Sequence, residues 1–191
     1  SVTIIPLRFA AHRGHEPIHG FRLVTNRDES RTRPPATEPR WHALSDTGRA
    51  LYPTDSAAGG TWVGVTDSGL VLCLLNGNPR PYPKLPPPAR LLSRGLIVPR
   101  LAASRDADEA ARAVAKLNLA DFAPFALLAV DLSRERNDGP RVIRVDWDRT
   151  QLRTSAYPAA PVCAVSSGLG DHLVHPRLAL FDRLLAEQGV R

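Results

Sequence analysis

The run Gly69-Leu70-Val71-Leu72-Cys73-Leu74-Leu75-Asn76 constrains the fold of this chain more than any other stretch. Every residue from Leu70 to Leu75 is apolar, and the run is short, bounded by Gly69 before it and Asn76 after it. Those limits suit a strand, and a strand without a polar side must be covered on both faces. It therefore belongs in a sheet sandwiched between other layers. Residues 61–66 read as its partner strand, and Asp67-Ser68-Gly69 between them completes the clearest hairpin signal in the sequence.

The remaining pattern is mixed. Residues 2–9 make a β-rich start with Ile4, Ile5 and Leu7. The loop that follows carries His12, His15 and His19, but their spacing matches no zinc signature, and Gly14 and Pro17 break any helix that would align them. Phe21, Leu23 and Thr25 then alternate as a strand, with Asn26, Arg27, Asp28 and Glu29 at its mouth. Residues 30–40 hold Pro34, Pro35 and Pro39 and read as an irregular crossing of the surface. Residues 41–53 show no assignable period. Six prolines in residues 78–88 force an extended loop. A helix is expected over 93–103, and a second from the capping-box-like Asp106 and Glu109 to about Leu117. Residues 125–132, 142–147, 151–154 and 162–166 read as strands, with a turn at Asn137-Asp138-Gly139 between the first two. An amphipathic helix over 176–188 carries Leu178, Leu180, Phe181, Leu184 and Leu185 and stops at Gly189. Strands, a helical pair, strands again and a last helix make an α+β layout, with helices over largely antiparallel sheets.

A chain of 191 residues suits one domain with a sizeable core. The formal charge of +6 and pI near 10.1 raise nucleic acid or an anionic membrane as partners. The distribution argues against both: all but two of the 25 basic residues are arginines, scattered along the chain without a dense run. No nucleic acid, metal or cofactor is expected. No apolar run reaches transmembrane length and no signal peptide precedes the first strand, so a cytoplasmic protein is expected. Cys73 and Cys163 both lie in apolar runs and read as buried thiols acting as small hydrophobes.

The succession of a strand at the N-terminus, Asn26-Arg27-Asp28-Glu29, Gly59-Gly60-Thr61-Trp62-Val63-Gly64, and a strand ending in Asn76 resembles the NRDE family, also called the transport and Golgi organisation 2 family. Val165-Ser166-Ser167-Gly168-Leu169-Gly170-Asp171 resembles it too. The family is similar to the N-terminal nucleophile hydrolases, so the resemblance implies a four-layer αββα sandwich over residues 1–191. Relatives usually continue past an end like Arg191 with further strands. A chain without them would expose a sheet edge, and homodimerisation or instability would follow.

In a site of that kind the side chain of residue 1 attacks a carbonyl while its own α-amine, titrating near pH 8, takes the proton. The resemblance makes Ser1 the nucleophile, where the family usually has cysteine. Either Ser1 replaces that cysteine or the chain as written starts one residue after it. By the same resemblance Asp28 orients the amine, Asn76 supplies an oxyanion-hole amide and Arg27 fixes an anionic part of the substrate. Asn26 holds the loop, and Trp62, Ser166 and Ser167 line the pocket. The implied activity is hydrolysis of a non-peptide amide or acyl bond. The alternative is a carrier of haem or acyl-CoA without turnover, with Arg27, Arg31 and Arg33 pairing its anionic groups.

Overall fold

The computed structural model describes residues 2–9, 18–26, 32–44, 48–132, 140–157 and 161–187. Strands β1 (Val2–Phe9), β2 (Ile18–Thr25) and β10 (Val162–Ala164) form a three-stranded antiparallel sheet in the order β10-β1-β2. Strands β3 (Arg40–Leu44), β4 (Gly48–Tyr52), β5 (Val63–Thr66), β6 (Val71–Asn76), β7 (Phe125–Asp131), β8 (Arg141–Trp147) and β9 (Leu152–Ala156) form a seven-stranded antiparallel meander in chain order. Three α-helices, α1 (Ile97–Leu101), α2 (Ala107–Val114) and α3 (Pro176–Glu187), complete an α+β sandwich.

The apolar run does what its composition requires. Val71 to Leu75 are all buried, and alternate side chains enter two different cores. Leu72 and Leu74, with Leu127, Ala129, Ile143 and Val145, pack against Ile97, Val98 and Leu101 of α1 and Ala107, Ala110 and Val114 of α2. Val71, Cys73 and Leu75, with Ala126, Leu128 and Val130, pack against Ile4, Val162 and Ala164 of the small sheet, with Phe21 and Leu23 beside them. The large sheet is thus the middle layer between helices and the second sheet. On the small sheet, α3 packs against β10 and buries no residue completely.

Local chemistry explains the boundaries. The β5–β6 hairpin closes at Gly69, whose φ of +90° favours glycine, while the Thr66 hydroxyl meets that of Ser68 at 2.7 Å. Asp106 caps α2 by accepting from the Glu109 amide at 2.6 Å. The buried Asp131 carboxylate accepts from the Ala107 amide and ties that same helix start to the end of β7. Helix α2 ends at Val114 rather than near Leu117, because the chain tightens there through bonds from Lys116 to Ala113 and from Leu117 to Val114. The helix expected over 93–103 is a 3-10 turn at Arg94–Leu96 followed by the short α1. Ser93 caps the turn, and Gly95 is pressed against another backbone.

Strands β3 and β4 occupy residues that carry no readable period. β3 is an edge strand with no fully buried residue, and its apolar Trp41 and Ala43 are exposed, so it has no buried apolar side to register. It is held instead by His42 stacked on Tyr52 at 3.9 Å and by the Arg49 guanidinium 4.6 Å over Trp41. Of the two cysteines, Cys73 is fully buried but Cys163 is only half-buried, since it alternates with Val162 and Ala164 on the outward side of β10. The turn expected at residues 137–139 and the loop histidines His12 and His15 lie outside the described residues.

At the β8–β9 turn, Asp148 accepts from the Thr150 hydroxyl, the Gln151 amide and the Thr150 amide. These bonds, chiefly the Thr150 hydroxyl, hold its carboxyl down to about 2 against an ordinary 3.8. A depressed folded pKa contributes stability that is present above the unfolded value and lost as pH falls through the folded one. Urea unfolding should therefore show stability declining from about pH 4 towards pH 2. Asp148→Asn should lower Tm at pH 7 by about 2–4 °C and flatten that decline. An unchanged acid profile in the variant would contradict this assignment.

Candidate functional site

A cleft of about 1040 Å³ opens where β2, β6 and β10 end. Each wall follows from a local necessity of the chain. Thr25 and Asn26 enter it as β2 terminates. Leu74, Leu75 and Asn76 enter it from the end of β6, the one position of that strand that is exposed being Asn76. Beyond β10, residues Ser166 to Leu169 turn across it. The strand expected to reach Ser166 stops at Ala164, and Ser166 lies with Ser167 in this turn instead.

The turn is anchored by Asp171. Its carboxylate accepts from the Ser167 amide at 3.0 Å and from the Asn78 amide at 2.7 Å, so the proline-rich segment and the serine turn share one acceptor. The Asp171 amide donates back to the Asn78 carbonyl.

The opposite wall is made of two backbones in contact. The Thr61 amide donates to the Gly95 carbonyl at 2.9 Å, and a Cβ built on Gly60 would lie 2.5 Å from the Gly95 carbonyl carbon. Only glycine at both positions permits that approach. Asp55 stabilises the loop leading to it: one carboxylate oxygen accepts from the Ala57 and Ala58 amides, and the other takes both Arg33 nitrogens at 2.7 and 3.2 Å. Burial alone would raise the Asp55 carboxyl, but the Arg33 guanidinium and the two amides outweigh it and hold it below the ordinary value. Arg94 lines the cleft from the 3-10 turn and donates to the Pro124 carbonyl at 2.9 Å; the Gly77 amide donates to the same oxygen at 3.0 Å.

Of the site residues read from the sequence, Asn26, Trp62, Asn76, Ser166 and Ser167 line this one cleft. Ser1, Arg27, Asp28 and Glu29 lie outside the described residues. Asp55, Ser93 and Arg94 also line it and were not singled out. Asp55 precedes a Ser-Ala-Ala-Gly-Gly turn, a signal for a loop-stabilising carboxylate, whereas Arg94 was hidden inside a segment read as helix. Cys73 is not a candidate nucleophile, since burial pushes its thiol up to about 11 despite a hydrogen bond with Thr25. Among the described residues no three His, Cys, Asp or Glu side chains are grouped to hold a metal. Nor is any described helix long and apolar enough to cross a membrane.

An α+β sandwich of two antiparallel sheets, with a cleft of mixed polar and apolar lining at the strand ends, is the class that this architecture defines. Within that class the chain belongs to the family described as transport and Golgi organisation 2, whose profile matches residues 7–167. The matched stretch contains every described residue that lines the cleft except Gly168 and Leu169. No curated protein matches the chain.

Proposed function

We propose that the cleft is an N-terminal-nucleophile site that hydrolyses a non-peptide amide or acyl bond. The observation that carries this reading is the register of β1. Val2 pairs with Thr25 on one side and with Ala164 on the other, and the chain beyond both partners, Asn26 and Ser166–Ser167, lines the cleft. In this proposal the residue ahead of Val2 enters the cleft between those two walls. The proposed nucleophile is the residue there, Ser1 or a cysteine in its place.

The chemistry follows from that position. The nucleophile's Oγ or Sγ attacks the substrate carbonyl carbon, and the α-amine of the same residue accepts the proton. The oxygen of the tetrahedral intermediate gains charge, and the Asn76 side-chain amide donates to it. The amine's proton passes to the leaving nitrogen or oxygen, the C–N or C–O bond breaks, and water then releases the acyl group by the reverse sequence. Asp28, in its proposed role, raises the basicity of the amine, and Arg27 pairs an anionic part of the substrate. The αββα form of the N-terminal nucleophile hydrolases is part of the same proposal, as are a single domain over residues 1–191 and a cytoplasmic setting.

The test is hydrolysis of a panel of N-acyl p-nitroanilides of graded acyl length. Alanine at the head of β1 should lower turnover at least about 10³-fold, and Asn76→Ala should lower kcat about 10²-fold with little change in KM. An alanine variant that keeps the native rate would sink the reading.

A further inference from the structure

The cleft holds a cation that the proposed chemistry does not use. Arg33 is neutralised in place by the buried Asp55. Arg94 is different: its guanidinium lines the same cleft, is half-buried, and among the described residues has the Pro124 carbonyl as its hydrogen-bond acceptor and no carboxylate in ion-pairing range. A guanidinium carries five N–H donors in a planar fork that matches a carboxylate or phosphate. Taking such a group partly out of water without a counter-charge is costly, and an anion entering the cleft removes that cost. Trp62 and Leu169, which belong to neither core, add apolar surface to the same cavity, suited to a hydrocarbon chain.

We propose that Arg94 binds an anionic oxygen group, a carboxylate or a phosphate, on an acyl compound whose apolar chain lies against Trp62 and Leu169. This rests on the hydrolase reading for the word acyl, but not for the anion site itself. The backbone contact between Gly60 and Gly95 gives the site its rigidity, because it fixes the residue next to Arg94. Burial also lowers the Arg94 guanidinium from its ordinary value without discharging it at neutral pH, consistent with a cation short of counter-charge.

The experiment measures fluorescence binding of three probes of matched chain: dansylaminoundecanoate, its methyl ester, and the corresponding alkyl phosphate. The anions should bind at least about tenfold more tightly than the ester, and added salt should shrink the difference. Whichever anion binds more tightly identifies the headgroup. Arg94→Gln should reduce both anions to the affinity of the ester and leave the ester unchanged, while Arg94→Lys should retain part of the preference. If Arg94→Gln does not fold, phenylglyoxal labelling of the unaltered protein serves instead: the carboxylate, but not the ester, should protect the Arg94 peptide. Equal affinity of acid and ester, a preference that survives Arg94→Gln, or equal protection by both probes would overturn the proposal. Because the readout is binding, an Arg94-dependent preference in a protein without turnover would leave the anion site standing and defeat only the hydrolase reading.

Discussion

Gly60→Ala should destabilise the protein by about 3 kcal/mol, a fall in Tm of about 6–12 °C for a chain of this size, and should abolish ligand binding in the cleft. The added Cβ would meet the Gly95 carbonyl carbon at 2.5 Å, its Cα at 2.7 Å and its oxygen at 2.8 Å, all backbone atoms that no rotamer change can move. Relief requires the two walls to separate, which breaks the Thr61 to Gly95 hydrogen bond and displaces the neighbouring Trp62 and Arg94 together. Gly59→Ala is the internal control. That glycine has φ +68° with open space around its Cβ direction, so the expected loss is only the left-handed backbone penalty of about 1 kcal/mol. Thermal melts of the two variants decide the matter, and equal losses would contradict the close-approach account.

Leu127→Ala and Leu128→Ala should each cost about 2–5 kcal/mol. The two residues are neighbours on β7 and face opposite ways, Leu127 into the helix-covered core and Leu128 into the core beneath the small sheet. Both are fully buried. In a sheet with one face in water, one of the pair would be nearly neutral to substitution. Thr154→Ala on the exposed edge strand β9 should change stability by less than about 0.5 kcal/mol. Urea midpoints for the three variants test whether the large sheet is the middle layer of the molecule. A near-neutral Leu128→Ala would mean that the small sheet does not cover that face.

The parts of the fold that were legible are those whose burial is extreme or periodic. The run from Leu70 to Leu75 announced a two-faced strand because nothing polar interrupts it, and the Asp106 cap marked the start of α2 by its side chain. β3 and β4 were not legible, since in the edge strand Arg40–Leu44 the apolar Trp41 and Ala43 are exposed while Arg40 and His42 share the other side with Leu44, so apolar character does not mark a buried face. The start of α1 was misread because Gly95 serves a contact with Gly60 that lies 35 residues away in sequence, which no local pattern records. At the cleft, residues that end strands could be foreseen from where the apolar alternation stops, as with Asn26 and Asn76. Arg94 could not, because its role depends on which carboxylate is spent on which arginine: Asp55 pairs Arg33, and that is a fact of tertiary structure.

The measurement that tests the hydrolase account most directly is mass spectrometry of the folded protein before and after exposure to an acylating β-lactone, with peptide mapping of any adduct. The account predicts one acyl group per chain, carried by the residue at the head of β1, with the α-amine free in the unreacted protein. A protein that stays unmodified at that residue while folded, or that is acylated there no faster than at its exposed serines, would contradict it.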